Sequence, residues 1–273
     1  MTTEEAVIRL RGDPAFAAQM RDAYLNEDVL EAAQRFERSG EFLQMKAILG
    51  PALAGGAVLD LGAGTGIASR AFGNSGARIV VALEPDESPV VGQGAIRRSC
   101  GGAVEIVSGF GEALPFRRDS FDVVYARQVL HHARDLTGLL VECARVLRPG
   151  GLFLACREHV VDDEAQLRTF LEGHPVHRLA GGEGAFPLPR YLEAIAASGL
   201  AIQAVLSPWS SVINAYPAVN SDAELPRHAR RVFIGRHGIL GRIALLLPGM
   251  DRVARRQREE PLPGRLFSFV CRK

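Results

Sequence analysis

"VLDLGAGTG", residues 58–66, decides the fold. An apolar run ends in three glycines within five positions, Gly62, Gly64 and Gly66, and an acid, Asp60, stands two residues before the first of them. A strand that runs into a glycine-rich turn at the start of a helix is how open parallel sheets seat a ligand beyond their strand ends. The spacing narrows the ligand. The G-x-G-x-x-G pattern of dinucleotide sites would place glycine at position 67, where this chain has Ile67. The G-K-[ST] of a phosphate loop is missing too, since no lysine is near. Asp60 would repel a phosphate in any case.

Around this stretch the hydrophobic rhythm is that of strands alternating with helices. "AVLDL", "RIVVALE", "AVEIV", "FDVVYA" and "GLFLACR" are short runs rich in Val, Ile and Phe. "GIASRAFGNSG", "SPVVGQGAIRRSC" and "DLTGLLVECARVLRPGG" separate most of them at helical spacing. "PRYLEAIAASG" and "LAIQAVL" continue the alternation, and "RLFSFVCRK" supplies a last strand. Such alternation predicts an α/β fold, a Rossmann-like doubly wound parallel sheet covered on both faces. Residues 1–50 read instead as a helical N-terminal cap that stops at Gly50-Pro51. Residues 51–273 form the sheet domain, with insertions at about 158–189 and 207–264. Structureless loops of that length are uncommon in compact domains, so both insertions are read as caps over a site.

Glu84 closes "RIVVALE", 22 residues after Gly62. A carboxylate at that strand end takes ribose hydroxyls in sheets of this kind. A ligand with positive charge and a ribose therefore suits the loop and its two acids. S-adenosylmethionine carries an ammonium, a sulfonium and an adenosine, and is the expected cofactor.

With these motifs in hand the chain resembles a family. "VLDLGAGTG", "VVALEPDES", "EALPFRRDSFDVVYARQVLHH" and "VLRPGGLFLACRE" look like the successive motifs of class I S-adenosylmethionine-dependent methyltransferases, in order, over about residues 55–160. The resemblance implies a seven-stranded sheet whose last strand runs antiparallel. It implies that Asp60, Gly62, Ala63, Gly64 and Gly66 surround the methionine part of the cofactor. Glu84 would hold the ribose, with Pro85 and Asp86 beside it. The family often has an acid two residues before Glu112, to receive the adenine amino group; here that position is Phe110. Either Glu112 or the backbone of Gly111 and Ala113 takes over the contact, or Phe110 packs on the purine.

Methyl transfer is an in-line displacement, so the protein aligns the nucleophile and, for a hydroxyl, removes its proton. Arg127 and Gln128 follow the fourth strand, and Arg127 is counted with the cofactor residues. His131 and His132 come next; the resemblance gives such an "LHH" packing or cofactor-side roles. The fifth strand ends at Arg157, Glu158 and His159, and "HPVHRLAGGEGAF" follows with His174, His177 and Glu183. His159, His174 and His177 are the candidate catalytic bases. Two histidines three apart with an acid nearby also raise a metal, but the segment is read as acid–base or substrate-binding, with no metal expected. In the leading helices Tyr24, Arg35 and Phe36 stand out, and Arg35 is a candidate partner of the methionine carboxylate.

Composition bounds the rest. The 273 residues are 47% hydrophobic and 23% charged with net charge +1, an ordinary globular balance that speaks against a nucleic-acid partner. Cys100, Cys143, Cys156 and Cys271 are scattered without a C-x-x-C pair and read as buried thiols of a reducing compartment. With no signal-peptide core and no run long enough to span a bilayer, a cytoplasmic protein is expected. Residues 225–258 hold nine arginines and one acid, Asp251, around "GILGRIALLLPGM". That segment is a packed helix with a basic outer face, a lid that grips an anionic acceptor, or a surface that meets anionic lipid or a lipid-linked acceptor. The function expected is methyl transfer to a small molecule, at a hydroxyl oxygen of a sugar-containing or secondary-metabolite acceptor. N- or C-methylation is the nearest alternative. A cofactor-binding relative that does not methylate and serves as a regulatory module is the more distant one.

Overall fold

All seven strand-like runs pair into one sheet. The computed structural model describes residues 1–256 and 262–273. Its strands are β1 (Ala57–Leu61), β2 (Ile79–Leu83), β3 (Glu105–Val107), β4 (Phe121–Arg127), β5 (Leu147–Val160), β6 (Ala201–Leu206) and β7 (Arg265–Arg272). Their order across the sheet is β3-β2-β1-β4-β5-β7-β6. The pairs from β3 to β5 are parallel, and β7 enters antiparallel between β5 and β6. One boundary differs from expectation: the helix Leu136–Val146 ends before "LRPGG", which opens β5.

Successive side chains of a strand point to opposite faces, and β1 uses both. Leu59 and Leu61 pack with Leu136, Leu139 and Leu140 of one helix and Tyr191, Ala194 and Ile195 of another. Val58 faces the other side, among Ile67, Ala71, Phe72 and the N-terminal residues Phe36, Phe42 and Met45. Asp60 shares the parity of Val58, so its carboxylate is delivered to the helix Ile67–Asn74 just beyond the loop.

The N-terminal residues fold as four helices, Thr3–Arg11, Ala17–Asp22, Val29–Glu37 and Gly40–Leu49. Asp28 and Ser39 cap the last two by accepting backbone N–H bonds. Phe36, Phe42 and Met45 are part of the core. The first helix instead packs Ala6, Val7 and Leu10 against Val176, in the insertion after β5, with Val90 and Val91 beside them. The N-terminal segment and the insertion after β5 thus touch, beside residues that follow β2.

Glu41, wholly buried, fastens the N-terminal helices to the strand ends. It accepts a bidentate pair from Arg127 at the end of β4, Nε at 2.7 Å and Nη2 at 3.2 Å, and lies 3.8 Å from Arg157 Nη1 in β5. Arg157 also donates to the carbonyls of Ile213 and Tyr216, so the clamp reaches the segment after β6. Removing one partner of a buried pair leaves the other charged and unpaired. Glu41→Gln is expected to lower unfolding stability by about 3–5 kcal/mol, read as a fall in the denaturant midpoint at constant slope.

Candidate active site

The loop after β1 is held from both sides. Ala63 N–H donates to the Leu83 carbonyl of β2, and Gly66 N–H closes a turn on Ala63. A Cβ on Gly66 would lie 2.8 Å from Ser99 Oγ and 3.2 Å from Ile96 Cα, so only glycine lets the helices after β1 and β2 close on the loop. Gly64 is different: its φ is +54° and nothing stands within 4 Å of the point where a Cβ would lie, so backbone shape demands glycine while the space beside it stays open.

Two carboxylates flank that opening. Asp60 is 2% exposed and accepts a 2.5 Å bond from Ser69 Oγ. Burial pushes its carboxyl up to about 7, against the Ser69 bond, and the nearby Glu84 adds to the rise. Glu84 accepts from Gly64 N–H at 2.7 Å and Asp86 N–H at 3.0 Å. Burial lifts it as well, partly offset by those two bonds. Among the described residues no ion pair involves either acid. Two desolvated carboxylates beside an open loop, with no side-chain cation on them, fit a ligand that brings its own positive charge.

The other cofactor candidates divide. Gly111 is a packing position, since a Cβ there would meet Leu139 at 2.8 Å. Ala113 N–H closes a turn on Phe110, and Glu112 accepts from Arg134 N–H at 3.0 Å, which commits one of its oxygens to the backbone. Phe110 is 67% exposed, and Pro85 is exposed beside Glu84. The two arginines placed with the cofactor are otherwise engaged. Arg127 is taken by Glu41 and Gln128. Arg35 donates to the Arg21 carbonyl and Asn26 and lies 3.5 Å from Glu31, over the Tyr24 ring. Both guanidinium groups tie the N-terminal segment, Arg35 within it and Arg127 to it from β4.

One strand over lies a cluster of imidazoles and acids. Val129 contacts the loop, its Cγ2 filling the place where a Gly62 side chain would stand, and His131 follows two residues later. Glu158, wholly buried at the end of β5, accepts from Val129 N–H, His131 N–H and, at 2.7 Å, His131 Nδ1. The "GGEG" loop folds back onto this turn: His132 Nδ1 donates to the Gly182 carbonyl at 2.7 Å, and Gly184 has no room for a Cβ against the His131 carbonyl. Glu183 then lies 3.5 Å from His131 Nε2 and 3.7 Å from His132 Nε2. Burial opposes charge on His131, yet its bonds with Glu158 and Glu183 raise it to about 9. Burial also works against Glu183, which His131, His132 and His174 hold down to about 2.

The three expected bases meet this cluster unequally. His159 Nδ1 donates to the Gly264 carbonyl, and its Nε2 faces the Gln128 amide at 3.4 Å. Burial and the charge on His131 depress it to about 4, too low for an effective base near neutrality. His174 Nδ1 accepts from His177 N–H, which leaves its proton on Nε2 and makes that atom a donor. His177 makes no side-chain hydrogen bond through its buried Nδ1. The lone pair turned towards Glu183 belongs to His132, whose Nδ1 donates to Gly182, while His131 turns its two ring N–H groups to Glu158 and Glu183. Periodicity could not reveal this, because the turn after β4 and the "GGEG" loop are 50 residues apart; the signal was the pairing of "HH" with a glycine-flanked acid.

The comparisons agree with the fold. Residues 59–155 match the family model of a methyltransferase domain. The chain is 34% identical over 150 residues to a demethylmenaquinone methyltransferase of Thermobifida fusca, covering 53% of this chain and 61% of that protein. It is 30% identical over 154 residues to a ubiquinone biosynthesis O-methyltransferase of Rhizobium etli, covering 55% and 62%. The match thus spans about three-fifths of the length of these relatives. In fold it resembles an S-adenosylmethionine-dependent methyltransferase of Mesorhizobium loti, with TM-score 0.56 and 20% identity over 86% of this chain and 98% of that one. The fold is that of class I S-adenosylmethionine-dependent methyltransferases, and residues 59–155 match a methyltransferase domain.

Two outcomes test the cofactor side. Glu84→Ala is expected to weaken S-adenosylmethionine binding tenfold to a hundredfold, about 1.5–3 kcal/mol, by calorimetric titration. Unchanged affinity would remove Glu84 from the site. The raised Asp60 carboxyl gives a pH signature. A bound cation favours its ionised form, so binding releases a proton below about 7. Affinity should therefore climb as pH rises towards 7 and level off above it, and Asp60→Asn should flatten the lower limb.

Proposed function

We propose that this protein transfers the methyl group of S-adenosylmethionine to a hydroxyl oxygen of a small acceptor, sugar-containing or of the secondary-metabolite kind. The observation that carries the reading is the pair of buried acids, Asp60 and Glu84, on either side of the open Gly64 turn. S-adenosylmethionine, when bound, supplies an electrophilic methyl on a sulfonium. Asp60 faces the cationic end of that ligand, Glu84 takes the ribose hydroxyls, and Phe110 offers an exposed ring to the purine. The loop contact of Val129 brings the turn of His131 and His132 near the reacting end, and His132, with Nδ1 donating to Gly182, offers its Nε2 lone pair to the acceptor's proton. Oxygen as the accepting atom agrees with the name of the Rhizobium relative. Four buried free cysteines suit a reducing, cytoplasmic setting. Incubation with methyl-labelled cofactor and a panel of hydroxylated acceptors tests the reading by mass of the product. Retained label without transfer on any acceptor would favour a regulatory binding module.

A second feature bears on the acceptor. The helix Leu225–Ala244 breaks at Gly238, and Ile239, Leu240, Ile243, Leu246 and Leu247 beyond the break are between 59 and 81% exposed. Arg227, Arg230, Arg231, Arg242 and Arg252 are exposed on the same two-helix unit. Its own small core, Phe233, Leu245 and Ala254, holds the unit folded while that apolar tip points outward. Gln257 and Arg258, which close the arginine-rich stretch, lie outside the described residues. No described helix is long and apolar enough to cross a membrane. An apolar tip with a basic surround matches peripheral contact with an anionic bilayer and a lipid-linked or anionic acceptor. Co-sedimentation is expected with phosphatidylglycerol vesicles, weaker with phosphatidylcholine, and at least tenfold reduced for Leu240→Glu/Leu246→Glu. Equal partitioning of the variant would refute the contact.

A further inference from the structure

We infer that His131, His132 and Glu183 form a binding site for a first-row divalent cation such as Zn2+, Fe2+ or Co2+. The ligand atoms are His131 Nε2, His132 Nε2 and a Glu183 carboxylate oxygen, all within 4.8 Å of one another. Two of the three edges, 3.5 and 3.7 Å, approach the roughly 3.4 Å separating nitrogen and oxygen ligands around a tetrahedral ion with bonds near 2.1 Å. Two imidazoles and one carboxylate make a borderline donor set that suits such ions better than magnesium or calcium.

The supporting shell is what separates this group from an incidental collection of polar side chains. A metal-binding imidazole usually donates its other N–H to a carboxylate or carbonyl, which fixes the tautomer and the ring. Both rings here have that partner: His131 Nδ1 on Glu158 at 2.7 Å, His132 Nδ1 on the Gly182 carbonyl at 2.7 Å. Both Nε2 atoms are thereby turned towards the same oxygen of Glu183. Glu158 is itself fixed by the backbone N–H groups of Val129 and His131. Charge agrees. A divalent ion on His131 Nε2 takes the place of the proton that otherwise lies between that ring and Glu183, so the charges of Glu158 and Glu183 remain answered.

The site is also accessible. The His132 side chain is 41% exposed, so an ion held there keeps coordination positions open on that side for water or an acceptor oxygen. His174 stands by without joining, since its Nδ1 lone pair is occupied by His177 N–H. The absence of a metal expected from the sequence concerned His174, His177 and Glu183; the geometry points to the other histidine pair. Delivery of an acceptor oxygen rests on the methyltransferase reading, whereas the ion site does not.

The test uses untagged, full-length protein dialysed against chelator and titrated with cobalt chloride alone. The visible absorption of low-coordinate Co2+ should saturate at one equivalent, and Zn2+ should displace it. Glu183→Gln and His132→Asn, the latter at a half-exposed position that tolerates change, should each weaken cobalt binding at least tenfold. Glu158→Gln should weaken it about tenfold to a hundredfold through the ring it orients, and His174→Asn should bind as wild type. Absence of the cobalt spectrum in wild type would overturn the proposal, as would wild-type binding by both Glu183→Gln and His132→Asn in samples with unchanged circular dichroism. S-adenosylmethionine titration of the same samples separates the two readings, because a protein that binds cobalt but no cofactor keeps the metal site and loses the proposed reaction.

Discussion

A single buried carboxylate, Glu41, organises the carboxyl ends of the strands. It draws together guanidinium groups from β4 and β5, and Arg157 carries the connection on to the carbonyls after β6. An isolated charge at that depth would be prohibitive, so the three groups are stable there only as a set. The consequence is geometric. The N-terminal helices are locked over the strand ends, and the residues that leave β4 and β5, Gln128 to His132 and Glu158 to His159, start from a fixed frame.

On that frame the molecule separates two kinds of acid. Asp60 and Glu84 sit beside an open loop without a side-chain cation, which leaves their charge to be answered by a ligand. Glu158 and Glu183 sit one strand away among imidazoles, which answer their charge within the protein. Desolvation raises the first pair, while hydrogen bonds from histidine hold the second pair low. The proposed cofactor site and the proposed metal-ion site thus adjoin, connected by the packing of Val129 on Gly62.

The N-terminal segment shows how far sequence reading went. Its helical periodicity and its stop at Gly50-Pro51 were legible from local spacing and capping residues. Its role was not. Arg35 was placed with the cofactor because a leading segment can close over it, and Arg127 because it follows the fourth strand; the structure engages Arg35 with Arg21, Asn26 and Glu31, and Arg127 with Glu41 and Gln128. Such partners are invisible in a linear reading, since Glu41 and Arg127 are 86 residues apart. The same distance in sequence hid the meeting of His131 and His132 with Glu183, and shifted attention to His159, His174 and His177.

What the sequence by itself determined is local: seven strands, the helices between them, the glycine turn after β1 and the acid at the end of β2, each set by periodicity, by the geometry of glycine or by spacing within one strand–turn–helix unit. The antiparallel entry of β7 was available only through resemblance to a family, and the order of the strands came from the tertiary structure. Tertiary structure alone decided which charges face each other. A side chain's chemistry depends on the few ångströms around it, and in a doubly wound sheet those neighbours come from strand ends and insertions that are adjacent in space but dozens of residues apart along the chain.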